Sequence, residues 1–354
     1  MAETEDEAAR MVKVLVVEDS ASVREFLVHV LGSDPSIRVV GAASSGEEAL
    51  DAVKRLRPDV ITMDIHMPGI NGLEATRRIM ENDPTPIVIV SGSTSTREVT
   101  TTFDAMDAGA LAVLPRPAGL GNRNHEAATR ELVRTVKAMA EVKVVRRWPR
   151  GQRAPAAARP STVRPKVRVV AIGASTGGPP ALHTILSALP AEFPVPILVV
   201  QHMARGFVRG FAEWLAQSCP LEVQLAAHGE TPLPRSVYIA PDGQQMGVDS
   251  GGRIVLSAGQ PENGFCPSVS HLFRSVAETY GRDAVAGLLS GMGRDGADEL
   301  RLLKQLDAAT FVQDKASSVV HGMPGEAIRL DAAMYVLPPE KIAAVLINLV
   351  NGRR

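Results

Sequence analysis

The chain has 354 residues, 45% of them apolar and 22% charged, which excludes a disordered, collagen-like or disulfide-stapled protein and allows two domains. With 38 Lys+Arg against 39 Asp+Glu, the net charge of -1 gives no global pull toward nucleic acid or membrane. The two cysteines, Cys219 and Cys266, form no CxxC or Cys/His cluster, which argues against a structural zinc and suits a reducing cytoplasm.

Residues 1–11 begin MAETEDEAAR, acidic where a signal peptide is basic and then apolar, and read as a solvated tail. No apolar stretch reaches the ~20 residues of a membrane span, so a cytoplasmic protein without membrane insertion is expected. Residues 12–142 alternate short apolar runs with helical periodicity. VKVLVV, IRVVGAA, VITM, PIVIVS and ALAVL are β-branched and apolar on both faces, predicting five buried parallel strands. The stretches between them, such as Val23, Phe26, Leu27, Val30 and Leu31, repeat at helical spacing. The expectation is a doubly wound α/β domain.

From Lys143 to Arg168 the chain holds nine Lys/Arg, four prolines and no acid. Proline and like-charge repulsion predict an extended linker over 143–166, a solvated hinge or a docking segment for an acidic partner. Only Trp148 interrupts it with an aromatic, which argues against nucleic acid binding. Over 167–354 alternation resumes. VRVVAIG, PILVVQ, SVYIA, AVAGLLS and ATFVQ predict strands, and 178–189, 206–217, 267–280, 297–306 and 339–350 predict helices. The expectation is a larger, mostly parallel α/β domain with an antiparallel excursion around Leu221 to Leu256.

Candidate chemistry falls at strand ends. In the first domain Glu18 and Asp19 follow VLVV and Asp64 follows VITM; in a doubly wound sheet they converge in one crevice. Three such carboxylates repel one another unless a hard cation such as Mg²⁺ lies between them, leaving one Asp to attack phosphorus. Ser91 and Arg116, also at strand ends, offer a hydroxyl and a fixed charge to a transferred phosphoryl group. In the second domain IGASTGGP follows a strand and enters a helix, and its Gly173-Ala174-Ser175-Thr176-Gly177 fits a nucleophile elbow. A glycine-rich phosphate turn would look similar, but neither the Walker lysine nor the G-x-G-x-x-G spacing is present. His202 ends the next strand and Asp295 follows another in LLSGMGRDGA, so a Ser–His–Asp set is expected, with the Met292 amide facing an oxyanion.

The first set, with Met67-Pro68 and Asn71-Gly72, resembles the receiver domain of two-component response regulators over about 12–122. The resemblance implies Asp64 as phosphoacceptor and Glu18, Asp19, Asp64 and the His66 carbonyl around Mg²⁺. Arg116 stands where the family usually has lysine, and Val113 where an aromatic is common. GASTGG, QHM, LSGMGRDGA, VQDKASSVVHGMP and VYIAP resemble the chemotaxis receptor protein-glutamate methylesterases from about 167 to 350. That resemblance implies catalytic Ser175, His202 and Asp295 with Thr176 and Met292 amides as oxyanion donors. It also implies chemoreceptor substrates, a chemotaxis-type histidine kinase as phosphodonor, possible glutamine deamidation, no cofactor for the ester chemistry, and a resting receiver that restrains the esterase. Gln245 replaces a frequent histidine, Gly325 a usual arginine, and His321 and Cys266 are unexpected in their segments. Two other classes compete: an adaptor that kept the fold, and a DNA-binding regulator, for which no helix-turn-helix pattern is present.

Overall fold

The structure is a computed structural model that describes residues 11–92, 96–117, 119, 125–142, 144 and 167–352. The acidic tail before Met11 and almost all of the predicted basic linker lie outside the described residues. The chain divides into two compact units.

From Val12 to Ala140 the chain alternates β1 (Val12–Val17), α1 (Ala21–Gly32), β2 (Ile37–Ala43), α2 (Gly46–Leu56), β3 (Val60–Met63), α3 (Gly72–Asn82), β4 (Ile87–Ser91), α4 (Thr96–Asp107), β5 (Ala112–Pro115) and α5 (His125–Ala140). These five strands stand in the order β2-β1-β3-β4-β5 and every pairing is parallel. Val14, Leu15, Val16, Ile61, Met63, Ile87, Val88 and Ile89 are fully buried, which is why these runs carry no polar alternation. Local signals set the helix starts. Ser45 accepts from the Glu48 amide at 3.3 Å, and the Glu48 carboxylate accepts from the Ser44 amide at 2.7 Å. Asn71 caps α3 by accepting from the Glu74 amide at 2.9 Å.

The second unit contains β6 (Val169–Ala174), α6 (Gly178–Ser187), β7 (Ile197–Gln201), α7 (Val208–Ala216), β8 (Glu222–Leu225), β9 (Ser236–Ile239), β10 (Gln245–Val248) and β11 (Ile254–Ser257). It continues with α8 (Val269–Tyr280), β12 (Ala284–Leu288), α9 (Ala297–Gln305), β13 (Ala309–Gln313), α10 (Met323–Arg329), β14 (Tyr335–Leu337) and α11 (Pro339–Val350). Seven parallel strands run in the order β14-β13-β12-β6-β7-β9-β8. The five predicted strands and five predicted helices are present.

The antiparallel excursion is smaller than the sequence suggests. Among the described strands only β10 and β11 pair antiparallel, as a separate two-stranded sheet. The β8 strand joins the main sheet parallel to β9 because the long 226–235 connection returns the chain to the same end of the sheet before β9 starts. One core, including Val169, Leu198, Tyr238, Met246, Phe273, Leu288, Leu300 and Val312, binds this sheet to the β10–β11 hairpin, α8 and α9. Each of the two main sheets has a switch point beside its first strand, between β1 and β3 and between β6 and β12. Crevices open at the carboxyl ends of strands at such points.

Candidate active site

The first switch point gathers the acidic residues. Glu18 follows β1, and Asp64 follows β3, its amide donating to the Val17 carbonyl at 2.9 Å. Carboxylate oxygens of Glu18, Asp19 and Asp64 lie within 4.8 Å of one another, with Glu18 and Asp64 buried and Asp19 exposed. Burial, reinforced by the neighbouring Asp64 carboxylate, pushes the Glu18 carboxyl up to about 7. Burial also raises Asp64, against the pull of Arg116. Glu18 Oε2 is buried with no hydrogen-bond partner among the described residues. A buried carboxylate oxygen without a hydrogen bond, within a cluster of hard donors, fits a metal ion.

Arg116 reaches this cluster, its Nη2 standing 3.3 Å from Glu18 Oε2. Its amide donates to the Ser91 carbonyl at 2.8 Å, which ties the ends of β4 and β5 together beside the cluster. Ser91 is buried. Room for the guanidinium comes from Gly92, where a Cβ would stand 3.0 Å from Arg116 Cζ. Gly72 fixes the loop after Asp64. Its amide donates to Ile65 O at 3.0 Å, and a Cβ there would overlap the Asp64 carbonyl oxygen. His66 is exposed within this loop.

The second switch point gathers Ser175, His202 and Asp295. Ser175 follows β6 and His202 follows β7, paired so that Ala174 lies beside Gln201 and the His202 amide donates to Ala174 O at 2.8 Å. Buried Gln201 staples the two ends, donating from Nε2 to the carbonyls of Ser175 and His202, both at 2.8 Å. The turn after Ser175 requires glycine: Gly177 has φ 77°, and a Cβ on Gly178 would overlap Gln201 Oε1. Asp295 lies in the loop after β12, and its Oδ2 accepts from His202 Nε2 at 2.9 Å. That bond places the imidazole proton on Nε2 and leaves Nδ1 as the lone-pair nitrogen. Nδ1 is buried and has no partner among the described residues, so the resting structure does not bond it to the Ser175 hydroxyl. Such bonds commonly tighten only when substrate is present.

Asp295 is 1% exposed and receives four further donors. The Val269 amide reaches Oδ2 at 2.7 Å; Ser268 Oγ at 2.8 Å, Asn263 Nδ2 at 3.1 Å and the Ser270 amide at 3.2 Å reach Oδ1. Because two of these amides open α8, the carboxylate also caps that helix. Burial alone would raise the Asp295 carboxyl. The His202 hydrogen bond, with those from Asn263 and the Val269 amide, overcomes this and holds it well below the ordinary range.

Thr176 opens the turn after Ser175, and its carbonyl accepts from Ser290 Oγ at 2.7 Å. Met292 lies in the tight 291–293 turn, where Gly322 and Met323 donate to the Gly291 carbonyl at 3.0 and 2.8 Å. A Cβ at Gly291 would stand 2.8 Å from Ser175 Cβ, so the Met292 turn and the serine are neighbours. The other histidines of this unit are bound elsewhere. His183 Nε2 pairs with Ser218 Oγ at 2.6 Å, His228 Nδ1 meets the Leu256 backbone at 3.1 Å, His271 stands 3.6 Å from Glu262, and His321 Nδ1 is 3.3 Å from Ser318 Oγ.

Sequence reading missed Gln201, Asn263, Phe265, Ser268 and Ser270. The Phe265 ring stacks on the His202 imidazole with centroids 3.8 Å apart and planes 1° from parallel. The Asn263-Gly264 pair is a hairpin-turn signal that could have drawn attention to this segment. Gln245 is buried and builds the same loop, accepting from the Ser268 amide at 2.8 Å and donating to the Phe265 carbonyl at 3.1 Å.

Residues 170–346 match the family model described as CheB methylesterase, and residues 14–123 match the response regulator receiver domain. The protein-glutamate methylesterase/protein-glutamine glutaminase of Nitrosospira multiformis is 63% identical over 349 residues, covering 97% of this chain and 98% of that protein. Protein-glutamate methylesterase/protein-glutamine glutaminase 1 of Syntrophus aciditrophicus is 56% identical over 348 residues, covering 97% and 99%. The crystal structure of the Thermotoga maritima CheB methylesterase catalytic domain matches with TM-score 0.51 and 38% identity, over 52% of this chain and 99% of that one. A receiver fold with an acidic cluster, followed by a parallel α/β unit that sets a serine beside a buried His–Asp pair, agrees with these matches along nearly the whole length, and the chain belongs to the protein-glutamate methylesterase/protein-glutamine glutaminase family.

Proposed function

We propose that this protein is a phosphorylation-controlled hydrolase that removes methyl esters from glutamate side chains of chemoreceptors and deamidates receptor glutamines. The observation that carries the reading is the buried His202–Asp295 pair whose second ring nitrogen is left unpartnered at the strand end next to Ser175. In the proposed reaction His202 Nδ1 takes the Ser175 proton as Oγ bonds to the ester carbon. Negative charge on the carbonyl oxygen is met by the Thr176 and Met292 amides. Nδ1–H then protonates the departing methoxide, methanol leaves, and water cleaves the acyl-serine by the same proton path. An amide substrate releases ammonia by the same steps. Asp295 holds the Nε2–H tautomer and the imidazolium that forms.

In the receiver, residues 12–142, Asp64 accepts a phosphoryl group from a chemotaxis-type histidine kinase. Mg²⁺, held by Glu18, Asp19, Asp64 and the His66 carbonyl, would screen the carboxylates and the donor's negative charge. Ser91 and Arg116 contact the phosphoryl group. Residues 143–166 form the linker and 167–354 the catalytic domain, in the cytoplasm. Consistent with that placement, no helix among the described residues is long and apolar enough to cross a membrane.

The deciding experiment incubates the full chain with receptor carrying labelled methyl esters, with and without a small phosphodonor, and counts methanol. Release that rises with phosphodonor and disappears in Ser175→Ala supports the reading; release that persists in Ser175→Ala rejects it.

A further inference from the structure

The segment from Glu262 to Phe265 is a two-residue hairpin turn outside the two main sheets. Glu262 and Phe265 exchange backbone hydrogen bonds, both 2.9 Å, around Asn263 at φ 53° and Gly264 at φ 85°. Positive φ at both central positions is the geometry that Asn-Gly favours. The turn is anchored from several sides. Glu262 pairs with Arg274 of α8, which also reaches Glu299 of α9 at 3.2 Å, and Gln245 of β10 holds the Phe265 carbonyl.

Its side chains reach both members of the acid–base pair. Asn263 Nδ2 donates to Asp295 Oδ1 and to Ser270 Oγ, both at 3.1 Å, while Phe265 covers one face of the imidazole. A cation above a ring face is attracted to it, so the observed geometry favours the imidazolium that forms when His202 takes the Ser175 proton.

We propose that the Glu262–Phe265 turn is a positioning clamp on the His202–Asp295 pair, in which the Phe265 π face steadies the charged imidazole and Asn263 fixes the carboxylate. Phe265 acts through the imidazole it stacks on and Asn263 through the Asp295 carboxylate, and the clamp rests on the Ser175–His202–Asp295 reading above. Its signature is therefore on kcat and not on substrate binding.

The test uses the full chain with Phe265→Leu, Phe265→Tyr and Asn263→Gly. Methyl release gives kcat and KM, a fluorophosphonate gives the rate of Ser175 labelling, and near-UV circular dichroism with Tm monitors folding. Phe265→Leu keeps bulk but loses the π face, and is expected to lower kcat and the labelling rate about tenfold with KM within about twofold. Phe265→Tyr restores the face and is expected within about twofold of the unchanged chain. Asn263→Gly keeps the turn but removes the amide, and is expected to lower kcat about threefold to tenfold; it carries the test if Phe265→Leu does not fold. The clamp is overturned if Leu labels as fast as Phe, if Tyr falls together with Leu, if KM rises while kcat holds, or, where only Asn263→Gly folds, if that variant keeps full kcat. These results differ from failure of the hydrolase reading, in which the unchanged chain itself would not label at Ser175.

Discussion

Replacing Asp295 by asparagine changes one oxygen to an NH2 group and nothing in shape, so its effect follows from hydrogen-bond direction. Five donors converge on the carboxylate, three on Oδ1 and two on Oδ2. The single amide oxygen satisfies more donors facing Ser268, Ser270 and Asn263, which turns the NH2 group toward the Val269 amide and His202 Nε2. The buried Val269 amide then loses its acceptor, at a cost of about 1–3 kcal/mol. For a unit of this size that lowers Tm by roughly 2–12 °C. The chemical consequence is larger. Nε2 must now accept a hydrogen bond, so the ring proton moves to Nδ1, the nitrogen that should take the Ser175 proton. A wrong tautomer of this kind costs about 10⁴ in kcat in a serine triad. Methyl release and fluorophosphonate labelling are the assays, with calorimetry for stability. Ser268→Ala is the control: it removes one of three donors on Oδ1, and about 1 kcal/mol with less than about threefold of activity should be lost. Asp295→Asn within tenfold of the unchanged activity would refute the tautomer argument.

Asp64→Asn should abolish both labelling by a small phosphodonor and the rise in methyl release, measured by phosphoprotein mass and methanol counting. Gly72→Ala should displace the Asp64 loop by driving a Cβ into the Asp64 carbonyl, slowing phosphorylation and lowering the Tm of the receiver alone while the Ser175 labelling rate holds. A fragment from Thr162 to Arg354 should fold, because its unit has a core of its own, and should hydrolyse faster than the resting full chain and ignore phosphodonor. A folded but slower fragment would mean that the receiver assists the esterase.

Both folds were legible where strands are buried on both faces. VITM and ILVVQ have no exposed position, so composition alone marks them. The β14 strand escaped because it is three residues long, with Val336 48% exposed at a sheet edge. The α10 helix escaped because its seven residues open on Met-Pro-Gly, which reads as a turn. The orientation of β8 was misread since periodicity shows burial but not the direction of pairing. Strand-end positions brought Ser175, His202 and Asp295 to one crevice, as the switch-point rule expects. The donors around Asp295 were invisible for another reason. Asn263, Ser268 and Ser270 are ordinary loop and cap residue types, and only the tertiary fold turns them onto a carboxylate 25–32 positions away. Gln245, a departure from the family pattern that the sequence resembles, is a buried part of this same loop.

The strand order also fixes when each half of the molecule can come into being during synthesis. Every strand of the receiver sheet has been made by Pro115, and α5 ends at Ala140, so this unit can fold while the rest of the chain is still on the ribosome. The second sheet has no such freedom. Its central strand β6 is flanked by β7, which follows soon, and by β12, which emerges only after β8 to β11 and α8. Pairings between such distant segments are slow to close. The proposed nucleophile Ser175 is therefore made long before Asp295, and on that reading a nascent chain short of β12 and its loop lacks the acid of the set. Any regulation by the receiver is in place before there is an activity to regulate.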